Sequence, residues 1–156
     1  MKITIAAPGK LNHPGAVAWS DDLYARIGRI LPIQRRAGRE VRRSKSGVDD
    51  AAKRAESQAL LLLMPPNAFA VALDLGGAIM DSDRFYSWLI GLAESGTRDL
   101  CFFIGGPDGH DAALLDVCRA KLALSTMVLP HEMAEVVLLE QTYRALTRWK
   151  GLPYHR

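Results

Sequence analysis

Three glycines in five positions close an apolar run: Cys101 to Ile104 leads straight into Gly105-Gly106-Pro107-Asp108-Gly109. Glycine stands where a chain must turn sharply or where backbone must come close to something else. The chemistry such a turn could serve is ligand binding against bare backbone. Familiar phosphate cradles do not match it. A P-loop needs Lys and Ser/Thr after its last glycine, whereas Gly109 is followed by His110 and Asp111. The dinucleotide fingerprint needs G-x-G-x-x-G, and the glycines here fall at 105, 106 and 109. There is no G-x-S-x-G serine elbow either. Taken alone, the stretch reads more simply as a tight strand-to-helix turn.

A second chemistry-bearing group is basic. Between Arg26 and Arg54 lie ten of the 20 Lys/Arg residues, against only Glu40, Asp49 and Asp50. Most are arginines, whose planar fork grips phosphate. Arg35, Arg36, Arg39, Arg42 and Arg43 cluster with Gly38, Ser44, Ser46 and Gly47, the composition of a flexible loop that tracks a polyanion. The plainer alternative is a solvated loop whose charge aids solubility. Net charge over the chain is only +3. Two cysteines, Cys101 and Cys118, form no disulfide framework, and no Cys/His spacing suggests zinc or another metal. A reducing, cytoplasmic setting fits best.

The elements that must position these groups follow from periodicity. Strands are expected at Ile3–Ala7, Leu31–Gln34, Ala68–Leu75, Leu100–Ile104 and Leu122–Ser125. Helices are expected at Ala16–Ile30, with Trp19, Leu23, Ile27 and Ile30 on one side, and from Asp49-Asp50 to Met64 before Pro65-Pro66. Further helices should begin at Asp81 or Ser82, at Asp111, and after Pro130. Strands alternating with helices imply an α/β fold, a mostly parallel sheet with helices on both faces. With 156 residues and 49% apolar content, one domain over 1–156 is expected, with no signal peptide and no membrane span. In such sheets ligands bind beyond the carboxyl ends of the strands. Three loops stand there: Asp74–Asp81, Gly105–His110 and Thr126–Pro130.

The glycine turn is not alone. It is followed by "LSTMVLPH" (Leu124–His131), "LLEQTYRA" (Leu138–Ala145) and the terminal "PYHR" (Pro153–Arg156). In that order, dense from about Leu73 onward, these motifs closely resemble the bacterial ribosomal RNA large subunit methyltransferase H family. Its members are small SPOUT, or α/β-knot, methyltransferases. The resemblance implies a deep trefoil knot within about 73–156 and S-adenosylmethionine as methyl donor. It also implies a homodimer whose active site is completed across the interface, and methylation at N3 of a pseudouridine in 23S rRNA on the assembled ribosome.

By the same resemblance, Leu73, Gly105, Gly106 and the run Leu124, Ser125, Thr126, Met127, Val128, Leu129 and Pro130 line the cofactor. Glycines at 105 and 106 would spare a ligand from Cβ atoms, and Leu73, Met127, Leu129 and Pro130 would sandwich a flat adenine. Plain core packing is the alternative for Met127 and Leu129. Removing an imide proton calls for a base, and histidine suits it. His131 and His155 fall in family motifs, whereas His13 and His110 are read as surface residues. Tyr154 and His155 are assigned to base or substrate positioning, Arg144 to RNA backbone or developing oxyanion, and Arg156 to RNA; a frayed terminus is the alternative for the tail. Three positions depart from the family pattern. Val128 replaces a usual Thr, Glu135 a usual basic residue, and Ala78 a usual Lys. Two other readings stand beside this one: a silent rRNA-binding module of the same fold, favoured by Val128 and Glu135, or a knotted methyltransferase acting on transfer RNA.

Overall fold

The computed structural model describes residues 1–39, 41 and 49–155, with side chains described through residue 154. Along them run β1 (Lys2–Pro8), α1 (Pro14–Gly28), β2 (Ile33–Gly38), α2 (Asp50–Leu61), β3 (Phe69–Ile79) and α3 (Ser82–Glu94). Then follow β4 (Asp99–Ile104), α4 (Ala112–Val117), β5 (Ala120–Ala123) and α5 (His131–Trp149), with a 3-10 turn at Pro153–His155. The sheet order is β2-β1-β4-β3-β5, and every pairing is parallel.

Parallel strands buried on both faces read as near-continuous apolar runs, because alternate residues enter different layers. Ile3, Ile5, Val71, Leu100 and Phe102 pack with Leu23, Ile27, Leu89, Leu138 and Leu146, contributed by α1, α3 and α5. Ala6, Ala70, Ala72, Cys101 and Phe103 pack with Leu60 of α2 and Leu114 of α4. Helices therefore cover both faces, as expected. Asp49, Asp81 and Asp111 cap α2, α3 and α4, accepting the N–H groups of Ala52, Arg84 and Leu114 at 2.9, 2.7 and 2.9 Å. Each such cap contributes about 1 kcal/mol. No helix among the described residues is long and apolar enough to cross a membrane.

Three local expectations are corrected. The second strand is Ile33–Gly38, so Arg35 and Arg36 lie in the sheet rather than in a loop. Trp19 is 62% exposed and does not share the buried side of α1 with Leu23 and Ile27. The strand at 69 does not stop at Gly76-Gly77. It continues to Ile79 because β5 pairs with it twice: Leu122 is partnered by Leu73 and again, after a bulge, by Ala78. Gly77 makes the second pairing possible, since a Cβ there would stand 2.5 Å from the Leu122 nitrogen.

Candidate functional site

The sheet register assembles the site. Leu73 pairs with Ile104 of β4 on one side and with Leu122 of β5 on the other. Gly105 follows Ile104, and the loop from Leu124 to Pro130 leaves just beyond Leu122. Leu73 thus stands between the roots of the two loops, all at the carboxyl ends of parallel strands.

The glycine turn is closed by Gly109 N–H donating to the Gly106 carbonyl at 2.9 Å, with Gly109 at φ +73°, a conformation that favours glycine. Gly105 also lies close to its own loop. A Cβ there would meet the Gly109 backbone at 3.2 Å and the His110 ring at 3.3 Å. A side chain there would crowd its own loop.

The second loop is built differently. Leu124 is half-buried against the main core, and the Ser125 hydroxyl accepts the Met127 N–H at 3.0 Å. Thr126 and Pro130 are exposed, and Leu129 is half-buried. Met127 is 70% and Val128 77% exposed, so Met127 is not a core residue. Two adjacent large apolar side chains left in water at a loop tip mark a contact surface more readily than a core.

Pro130 precedes α5, which starts at His131, half-buried. The neighbouring Glu132 carboxylate accepts the N–H groups of Asn12 at 2.7 Å and His13 at 3.0 Å. The Asn12 bond first, helped by that from His13 and by the charges of His131 and His13, lowers the carboxyl pKa against partial burial. This ties the loop after β1 to the start of α5. One turn on, Glu135 is completely buried. It accepts from the Tyr24 hydroxyl at 2.8 Å and from Arg35 Nε at 2.8 Å, while Arg35 Nη1 donates to the Gly9 carbonyl at 2.8 Å. Burial, then the Glu135 charge, raises the Tyr24 pKa. Arg36 Nη1 donates to the Leu63 carbonyl at 2.8 Å. The basic-loop assignment of Arg35 and Arg36 is corrected accordingly: Arg35 ties β2 to α5, and Arg36 ties β2 to the residues after α2.

The far end of α5 carries Arg144. Its Nη2 lies 2.6 Å from Glu140 Oε1, and its guanidinium lies 5.3 Å from the centre of the Tyr154 ring. The Tyr154 ring also packs on Tyr143 at 4.6 Å. The tail turns back because Gly151, at φ +68°, ends α5: Gly151 N–H donates to the Arg148 carbonyl and Leu152 N–H to the Thr147 carbonyl. Tyr154 is therefore docked, not frayed. Beside it a cleft of about 370 Å³ is lined by Ser82, Asp83, Tyr86, Gln141, Arg144, Ala145 and Arg148. Arg148 pairs with Asp83 and lies 4.2 Å over the Tyr86 ring.

His131 and Arg144 occupy one helix, and at about 1.5 Å rise per residue they stand about 20 Å apart along its axis. The chain brings Leu73, Gly105 and the 124–130 loop together, but not His131 with the Arg144–Tyr154 cluster. Arg39 is exposed just beyond β2. Arg42, Arg43 and Arg156 lie outside the described residues, as does the side chain of His155. His13 is exposed, but His110 is 3% exposed, which corrects its surface assignment. Sequence reasoning missed the partnership of Glu135 with Tyr24 and the cleft residues Asp83, Tyr86 and Arg148. A signal existed for the first: Glu135 falls on the stripe of Leu138, Leu139, Thr142 and Leu146, the buried side of α5.

The family model described as "Predicted SPOUT methyltransferase" matches residues 1–155. The chain belongs to the SPOUT methyltransferases. Full-length relatives named ribosomal RNA large subunit methyltransferase H agree. The one from Dinoroseobacter shibae is 39% identical, covering 100% of this chain and 99% of the relative. Those from Rhizobium leguminosarum and Clostridium kluyveri are each 34% identical, covering 100% of this chain and 99% and 100% of the relatives. A crystal structure of a probable methyltransferase from Bordetella pertussis shares the fold at TM-score 0.53 and 16% identity, over 93% of this chain and 96% of that one. This SPOUT chain is a methyltransferase. Among its described residues no group of three or more His, Cys, Asp or Glu converges as a metal site would.

Proposed function

We propose that this methyltransferase uses S-adenosylmethionine to methylate N3 of a pseudouridine in 23S rRNA on the assembled ribosome, working in the cytoplasm as a knotted homodimer. The observation that carries the reading is the exposed apolar pair Met127–Val128 on a loop rooted beside Leu73 and the glycine turn. An adenosine fits that set of residues: apolar side chains can flank its base, and loop N–H and C=O groups can read its edge with no charged partner. When bound, S-adenosylmethionine supplies an electrophilic methyl on a sulfonium, a neutral thioether remaining after transfer.

The chain's own residues supply the rest. A base must take the N3 proton, and His131 or His155 is suited to it near neutral pH. Tyr154 and Arg144 orient the nucleobase and balance charge on its oxygens, while Arg39, Arg42, Arg43 and Arg156 hold phosphates. The axial distance between His131 and Arg144 supports the dimer: a site that uses both ends of α5 needs the tail of a second copy beside the cofactor loops of the first. The burial of Glu135 removes a reason to read the protein as a silent RNA-binding module, because that carboxylate does not face RNA.

Calorimetry with S-adenosylmethionine tests the cofactor, and no binding at millimolar ligand would end the reading. Mass mapping of 23S rRNA from a deletion strain tests the substrate: the expected result is one methyl lost from a pseudouridine. A methyl lost from transfer RNA instead would redirect the assignment.

A further inference from the structure

His110 is the one histidine whose described side chain is almost wholly enclosed, and the chemistry above does not use it. It closes the glycine turn from beneath. Nε2 lies 3.2 Å from the Phe103 carbonyl near the end of β4, and the ring edge abuts Gly105, with Cε1 3.3 Å from where a Cβ would stand. Nδ1 is buried and has no hydrogen-bond partner. A bond to a carbonyl requires a proton on Nε2, so the neutral tautomer with a bare Nδ1 satisfies the contact. Burial lowers the His110 pKa, opposed by the Phe103 carbonyl, by Asp74 at the end of β3, by the Leu73 carbonyl and by Asp111 at the start of α4. Those two carboxylates are the charges that act on the ring.

We propose that His110 is a positioning residue: its neutral ring props the Gly105–Gly109 turn against the ends of β3 and β4 and thereby sets the affinity of the adenosine site. This rests on the cofactor reading above. The Gly109–Gly106 bond closes the turn on itself, and the His110 ring joins it to the end of β4. The ring links Phe103, the paired neighbour of Ala72 in β3, to Gly105, which begins the turn. Acid should loosen the strut. With the folded-state pKa lowered, an opened turn takes up a proton first as pH falls below the ordinary histidine value of about 6.5. The closed turn, and cofactor binding with it, then loses ground.

The test compares the full-length protein with His110→Leu, which fills the space without a donor, and His110→Gln, which keeps a donor and does not titrate. S-adenosylmethionine affinity is measured near neutral pH and at about pH 5.5, below the ordinary histidine pKa. Hydrogen exchange of the Gly105, Gly106 and Gly109 amides is followed without ligand. Losing the ring's bond to the Phe103 carbonyl should weaken binding by up to about tenfold in the Leu variant. Turnover at saturating cofactor should hold, and the Gln variant should recover most of the affinity. Wild-type affinity should fall in acid, and that of the Gln variant should not. Wild-type affinity in the Leu variant overturns the proposal, as does faster exchange shared equally by strand amides such as Val71 and Phe102. If the wild type binds no S-adenosylmethionine, the cofactor reading fails on its own. The exchange data then decide the strut: selectively faster turn amides in the Leu variant sustain it, and unchanged ones refute it.

Discussion

Two glutamates on α5 each hold an arginine, and the pairs serve different ends. Glu135 is fully enclosed and grips Arg35 of β2 together with Tyr24 of α1, so three elements meet on one carboxylate. Glu140 holds Arg144 from one turn away on the same helix, where both side chains reach solvent. The first pair joins distant parts of the chain. The second holds a cation ready beneath Tyr154. Burial, not residue type, separates a structural arginine from one available to a ligand, because a desolvated charge must have its partner and an exposed one need not.

That contrast can be broken in several ways, the most severe being loss of the tail. Deleting residues 154–156 should abolish methyl transfer while sparing S-adenosylmethionine affinity, as activity assays beside calorimetry would show; retained activity would take the tail out of the site. Glu135→Ala should destabilise the fold by about 3–5 kcal/mol in urea unfolding, since it strands the Arg35 charge. A loss below 1 kcal/mol would mean that water reaches the pair. Gly77→Ala should cost about 1–3 kcal/mol by the same measurement, because the backbone of Leu122 must move aside. Replacing Arg39, Arg42 and Arg43 with Ala should flatten the salt dependence of RNA binding by up to about 0.9 log units per lost phosphate contact. An unaltered slope would make these three ordinary surface charges. Glu140→Ala should be the mildest to the fold, about 0.3–0.5 kcal/mol, yet should lower activity by freeing Arg144.

The legible features were those that local chemistry dictates. Asp81 and Asp111 were recognisable as caps because a side-chain oxygen satisfies N–H groups only a few residues away, and Asp49-Asp50 as a helix start because acidic charge suits the positive end of a helix. Four of the five strands could be located from apolar runs, since strands buried on both faces have nowhere to hide a polar residue. The motif order from Leu73 to the tail pointed to the SPOUT family. The misplaced features depended on partners distant in sequence. Arg35 resembles loop charge until Glu135, a hundred positions on, is folded against it. Gly76-Gly77 resembles a strand end until β5 arrives to pair a second time.

By itself, then, the sequence determined the α/β alternation, the caps, the loops at the strand ends and the family, because these rest on periodicity, short-range hydrogen bonds and motif order. Only the tertiary structure decided that Gly77 makes room for β5, that Arg35 and Arg36 are tied into the fold, and that His110 lies inside. Those outcomes turn on which groups lose their water, and water is excluded by neighbours that the chain order does not name.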